Sequence, residues 1–564
     1  MNLLFILRQL LNERYGKLMI NSNQHICIFV FIFFFTSIQK TNAQQEVIPG
    51  ITGNFELNSQ YYKSDSAIEA PDVPQKILNN GFLNLNYING KLRAGLRYEA
   101  YLDPLLGFDE RYKGSGIPFR YAGYSSDGLD VTVGNFYDQF GSGLIFRSYE
   151  ERAIGSDNAM DGIRVGYQPV KGIFIKGLVG HQRNFFELGK GLVRGADVDV
   201  QLNDVVSSLS DKKLHIGFGG SFVSKYQKDE DQIRILPENV AAFAGRTNLN
   251  YGRFSLNAEY AYKYNDPYIG NGFIYKNGEA LLVTVTYIQK GLGIVLSGKR
   301  IDNMGFRSER SATVNQLLIN YLPVINKQHT YRLVTLYPNS TKPNGEMAMS
   351  GEVYYTFKSG TPIGGKYGTS IALNSSSVND IEHKPASNDT LGYSSDFFAY
   401  SKTKFYQDAN VEITKKVSRN FKMIISYIYQ LYNKDVIEGK IGYGLITAHT
   451  GVVEFTWKLN AKNSLRMEMQ HLLTGQDRKN WAMALLEYSI SPNWAFTLFD
   501  EYNYGNENRD HRYHYYNASC AYTKNANRIS IGYVRQRSGL LCIGGVCRVV
   551  PASNGVSLSI TSRF

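Results

Sequence analysis

The chain has 564 residues and a formal net charge of +12; aromatic residues make up 13% of it, tyrosine alone numbering 41. No dense Lys/Arg run marks a nucleic-acid site, so the basic excess reads as surface and interior charge able to attract anionic solutes or lipid head groups. The His and Cys residues lack metal-ligand spacing, Walker and Rossmann signatures are missing, and His471 near Glu468 has no serine in an elbow motif to serve. An enzyme is not expected, and no catalytic residue, cofactor or metal is assigned.

Taken in chain order, ICIFVFIFFFTSI, Ile26 to Ile38, is an apolar core of signal-peptide length, too short for a spanning helix of about 20 residues. Ala43 fits a small-residue cleavage position before Gln44. Residues 1–43 therefore read as an export signal, with Met19 as a candidate true start, and 44–564 as a single domain. An uncleaved anchor is the competing reading. Beyond Ala43 no apolar run suits a transmembrane helix, so a membrane would be crossed by strands.

Alternation begins at once with ITGNFELNSQYY at Ile51, leaving no room for a globular plug domain ahead of it. KLRAGLRYEAYL puts Leu92, Ala94, Leu96, Tyr98 and Ala100 on one face and Arg93, Gly95, Arg97 and Glu99 on the other. FSLNAEYAYK sets Phe254, Leu256, Ala258, Tyr260 and Tyr262 against Ser255, Asn257, Glu259, Ala261 and Lys263, and VVEFTWKL repeats the pattern around Phe455 and Trp457. A soluble sandwich would hide the apolar face and a membrane barrel would expose it to lipid; periodicity alone does not separate the two.

Connection lengths do. Terse turns such as NGK at Asn89 to Lys91, YGR at Tyr251 to Arg253, VSRN at Val417 to Asn420 and SPN at Ser491 to Asn493 alternate with long polar loops. Those loops are read at Lys63 to Asn80, Asp103 to Gly116, Tyr226 to Asn239, Ser375 to Asp396 and Asn433 to Gly444. The expected fold is all-β: a transmembrane antiparallel outer-membrane β-barrel with short periplasmic turns, long extracellular loops and about 26 strands, in the range of roughly 22 to 26.

Within that rhythm, Gly134 to Tyr167 carries a dense charge cluster: Arg147, Glu150, Glu151, Arg152, Asp157, Asp161 and Arg164. Folded into the lumen, this segment would form a constriction with facing acidic and basic groups; the plainer reading is a solvated outer loop. Cys542 and Cys547 flank Ile543, Gly544, Gly545 and Val546 and are the expected disulfide in an oxidising compartment. At the C-terminus, Val556, Leu558, Ile560 and Phe564 share one strand face and resemble an insertion signal read by the barrel assembly machinery.

Several stretches resemble one family, large uncharacterised outer-membrane β-barrels of Bacteroidota: GNFYDQFGSGL with RSYEERAIG, KRIDNMGFRSER at Lys299 to Arg310, INYLPVINKQHTYRLVTLYPNSTKPNGE at Ile319 to Glu346, GGKYGTSIALN at Gly364 to Asn374 and CIGGVCRVVPASNG at Cys542 to Gly555. The resemblance implies fold and location and carries over no functional residue. The expected function is porin-like solute transport through a polar, charged lumen in the cell outer membrane. The alternative is an accessory or scaffold barrel that binds periplasmic or lipoprotein partners in assembly, secretion or surface lipoprotein handling. Outer-membrane lipid is the partner common to both, and nucleic acid is a partner to neither.

Overall fold

The computed structural model describes residues 50–386 and 389–564. The expected export signal, its cleavage site at Ala43 and the start at Met19 lie outside the described residues. Twenty-four strands form one antiparallel sheet. The first five are β1 (Ile51–Tyr62), β2 (Ile77–Asn89), β3 (Leu92–Leu102), β4 (Gly114–Ser126) and β5 (Leu129–Phe136). Each strand pairs with its successor around the barrel. The last strand, Ser553–Arg563, returns to β1 with pairs running from Asn54↔Arg563 to Tyr62↔Gly555. Gly53 and Phe564 extend that seam by exchanging backbone hydrogen bonds of 2.7 and 3.0 Å. The sheet thus has no free edge, which is the condition for crossing lipid with strands. No helix among the described residues is long and apolar enough to cross a membrane.

The alternation is oriented for lipid. On β3 the outward Leu92 is 57% exposed, whereas the inward Arg97 and Glu99 are 3% and 1% exposed. On the strand Phe254–Lys263, Phe254 and Tyr260 are exposed while Glu259, Ala261 and Lys263 are buried. A soluble protein would place these residues the other way round. Aromatics gather at both ends of the outer wall, as in a membrane girdle. Phe254 packs on Tyr287 and Trp494 on Tyr522 at the short-turn end; Phe222 packs on Phe243 and Tyr516 on Tyr533 at the long-loop end.

The strand number is fewer than the about 26 suggested by the turn rhythm but lies within the expected range. Residues 303–344, long enough for two further crossings at roughly 10 residues each, enter the barrel instead of spanning the bilayer. Two connections on the short-turn side are longer than expected. Residues 202–213 carry a one-turn helix, Leu202–Val205, and are held by Asn203, whose amide donates to Leu209 O and Leu214 O. Residues 358–368 form the other. On the opposite side, the strands Ile173–Asn184 and Glu187–Gln201 are joined by only Phe185 and Phe186. The loop expected from Ser375 begins later, because Ser375, Ser376 and Ser377 continue the ladder opposite Ala409, Asp408 and Gln407. Ser376 faces the lumen and is buried, whereas Ser375 and Ser377 share the outer face with exposed Leu373, so a loop-like composition is carried on both sides of this strand.

At about 4.8 Å between strands tilted about 40°, a barrel of this strand number encloses a backbone cylinder about 45–50 Å across. Two long segments on the outer-loop side, 137–159 and 303–344, fill much of that space. Phe140, Leu144, Ile145 and Phe146 of the first are fully buried, against inward-facing Leu178, Val193, Val223, Val240 and the alanines 242, 261 and 280. Leu333 and Tyr337 of the second pack with Tyr406, Tyr432, Leu472 and Trp481 on the other side of the barrel. Gly195 makes room for the first plug: a Cβ there would stand 2.7 Å from the Phe140 ring.

Candidate functional site: the in-turned loops and their ion-pair network

The 137–159 segment contains a two-residue hairpin, Glu150–Glu151 against Ser156–Asp157, around the turn Arg152–Ile154. This hairpin delivers Glu150, Arg152 and Asp157 to the lumenal face of β1, β3 and the strand Ile173–Asn184. Arg97 on β3 contacts Glu99 at 2.6 Å and Glu150 at 3.0 Å and also bonds Asp157. Arg183 bonds Glu99 at 2.6 Å and shares Asp157. Arg152 reaches Glu150 at 2.6 Å and Glu56 on β1 at 2.8 Å, with its guanidinium 4.3 Å from the Phe82 ring centre. Tyr137 completes the set by donating to Asp157 Oδ1 at 3.0 Å.

The surroundings drive the two loop carboxyls in opposite directions. Burial raises the Glu150 carboxyl above its ordinary range, only partly offset by Arg97. Burial acts on Asp157 too, but the Arg183 and Arg97 guanidiniums outweigh it and hold that carboxyl below its ordinary range. Oxygens of Glu99, Glu150 and Asp157 lie within 4.8 Å of one another. Arg97, Arg183 and Arg152 already supply the compensating charge, so the donor set is neutralised from within the chain.

The remaining charges of the expected constriction divide between loop and wall. Arg147 lies between the rings of Tyr149 and Tyr321, at 4.6 and 4.1 Å. Glu151 accepts from Ala153 N and caps the turn. Asp161 and Arg164 are not loop residues; they belong to the wall strand Met160–Val170. Asp161 pairs with Arg120 at 2.9 Å, and Arg164 bonds Asp130 at 2.5 Å and also Asp138. The structure therefore brings Glu150, Arg152 and Asp157 together and sets the other four apart. It adds Glu56, Arg97, Glu99 and Arg183, which the charge-density reading passed over. Arg97 and Glu99 were visible in the sequence as the polar face of β3.

The segments also hold each other. Arg147 N donates to Ile319 O and Tyr321 N to Gly143 O, at 2.8 and 2.9 Å. A third element, the hairpin Gly539–Ile543 with Val546–Val550, rests on both segments. Tyr321 donates to Gly544 O at 2.7 Å, Asn315 to Cys547 O at 2.8 Å, and Arg548 Nε to Ala153 O at 3.0 Å. Cys542 and Cys547 face each other across this hairpin, joined as a disulfide with a Cα separation of 4.0 Å. Toward the short-turn end the inward wall is polar: Asn257 is exposed to the lumen, Thr284 bonds Ser297, and Arg466 meets Glu454 at 3.0 Å and Glu487 at 2.6 Å as well as Glu468.

A closed barrel with a lipid-facing apolar wall and loops folded into its lumen defines an outer-membrane-type β-barrel. The sequence profile of a family of unknown function, DUF6029, matches residues 22–564, and the chain belongs to that family. No curated protein sequence matches it. Among solved structures, it is similar to the siderophore receptor PirA from Pseudomonas aeruginosa, with 11% identity, 92% of this chain and 81% of that chain covered, and a TM-score of 0.42. It is similar also to the translocation pore of the P pilus usher PapC, with 10% identity, 91% and 99% covered, and a TM-score of 0.38. The third is OccAB2 from Acinetobacter baumannii, with 8% identity, 93% and 99% covered, and a TM-score of 0.33. At such distances these likenesses carry no functional argument, and the reading below rests on this chain's own geometry.

Proposed function

We propose that the protein is a porin-like channel of the outer membrane, exported with a leader cleaved near Ala43, whose bore for small polar solutes is set by its in-turned loops. The carrying observation is the division of the lumen. Its short-turn half has a polar, charged wall, and its outer half is narrowed by 137–159 and 303–344, fixed to the wall through apolar packing and the Arg97–Asp157 network. In this proposal Arg147, Glu150, Glu151, Arg152, Asp157, Asp161 and Arg164 contribute to the field along the route, with Glu150, Arg152 and Asp157 chiefly holding the loop in place. No chemistry is assigned to the protein. Liposome swelling tests the proposal: vesicles carrying it should swell in small sugars or amino acids and resist larger oligosaccharides. Vesicles with confirmed insertion that do not swell in any of them would count against it.

The second reading is an accessory barrel, and the observation favouring it is that two separate apolar clusters seal the loops against the wall. Such a barrel would co-purify in fixed stoichiometry with a periplasmic protein or lipoprotein.

A further inference from the structure

Outside the lumen, the outer rim carries a cavity that transport does not use. Tyr260 and Tyr262, Glu279, and Arg300 and Asp302 lie on three adjacent strands, in register as Tyr262↔Glu279↔Asp302 and Tyr260↔Leu281↔Arg300. Their alternating neighbours Ala261, Lys263, Ala280 and Ile301 are buried toward the lumen, so these residues stand on the lipid side of the wall, at strand ends nearest the outer loops. Residues 385–386 and 391–397 fold down over them. Phe397 lies 4.7 Å from the Arg300 guanidinium and 6.3 Å from the Tyr260 ring. The Tyr393 hydroxyl lies 2.6 Å from Asp302 Oδ1 and 2.7 Å from Asn344 O, either of which accepts its one proton, and Lys276 Nζ sits 4.8 Å from its ring centre. The loop leaves a cavity of 530 Å³ lined by Tyr262, Tyr275, Lys276, Asn277, Glu279 and Tyr393.

The lining suits a sugar. Lys276 is the cation of the lining and stands 3.4 Å from Asp302, while the buried Arg300 behind it lies 3.2 Å from Asp302 and 3.5 Å from Glu279, so there is no surplus positive charge to hold a bare phosphate. The Tyr262 and Tyr275 rings, with amide and carboxylate groups beside them, offer flat faces for a pyranose and partners for its hydroxyls. Its strand-borne lining residues Tyr262, Glu279 and Asp302 stand on the lipid side of the wall, and Phe398 and Tyr400, which follow the covering residues in the chain, are 81% and 64% exposed. That continuity with the bilayer surface selects a membrane glycolipid over a free glycan. We propose that this rim cavity binds the carbohydrate head group of an outer-leaflet glycolipid, with its acyl chains along the adjoining wall.

Native mass spectrometry of the full-length protein released from mixed micelles of a neutral diglucosyl diacylglycerol and phosphatidylethanolamine tests the assignment. Wild type should retain the glycolipid in preference to phosphatidylethanolamine. Ser394→Trp, which fills the cavity from an exposed position, should lower glycolipid retention about tenfold, equivalent to about 1.4 kcal/mol, without changing phospholipid retention. Lys276→Gln should change retention in the same direction without adding bulk, and heat-modifiable migration confirms that each variant is folded. Equal retention of the glycolipid by wild type and both folded variants, or no preference over phosphatidylethanolamine in wild type, would overturn the proposal. So would binding of the free disaccharide as tight as that of the glycolipid, since it would remove the membrane as the source.

Discussion

Asp157 and Glu150 differ by surroundings more than by position. Both lie in one small hairpin, but Asp157 is shared by two guanidiniums and Glu150 is penalised by burial. Replacing Asp157 with Asn leaves Arg97 and Arg183 buried beside Glu99 with one carboxylate too few, and should weaken loop docking by about 3–5 kcal/mol; Glu150→Gln should cost much less. Amide hydrogen exchange across 137–159 measures both, and equal protection in the two variants would contradict the assignment. The pH dependence follows with its sign. Glu150, raised when docked, opposes docking while charged, so docking strengthens as pH falls through its raised value. Asp157, lowered when docked, contributes above the ordinary Asp range of about 4 and loses that contribution as pH falls further. Protection, corrected for intrinsic exchange, should therefore pass through a maximum on the acid side of neutrality. On the apolar side, Phe140→Ala should cost about 3–5 kcal/mol through the void left against Gly195 and the wall. The loop charges were legible in the sequence as a cluster. Their partners were not, because Arg183 and Glu56 lie far along the chain and meet the loop only when the barrel closes.

The elements read most faithfully are those whose local chemistry is decisive. The expected turns at Asn89 to Lys91, Tyr251 to Arg253, Val417 to Asn420 and Ser491 to Asn493 all separate neighbouring strands. The 303–344 segment was opaque because its apolar residues, Met304, Phe306, Ile319 and Leu333, suit a buried plug as well as a strand, and only tertiary packing chooses between them. The Cys542–Cys547 hairpin rests on both plug segments, so reduction should loosen their outer surface. Alkylation should label Cys542 and Cys547 only after reductant, with exchange rising around Tyr321 and Thr341; full labelling without reductant would refute the bonded state.

At the scale of the whole molecule, closure depends on the seam between the first and last strands. Removing Phe564 deletes its hydrogen-bond pair with Gly53 and the end of the expected insertion signal formed with Val556, Leu558 and Ile560. Outer-membrane abundance of that variant should fall severalfold, and normal abundance with normal heat-modifiable migration would refute the role given to Phe564. Alternation together with the rhythm of terse turns and long loops announced a barrel, yet the interior was hidden, because these features describe a wall and say little about what the wall encloses. The central claim is that loops folded into a wide barrel set its bore, and single-channel conductance in planar bilayers tests it most directly. Wild type should show small, steady openings, and a variant with 306–340 replaced by a short Gly/Ser linker should conduct severalfold more while keeping heat-modifiable migration. Equal conductance in the two, or silence in both with insertion confirmed, would contradict the account.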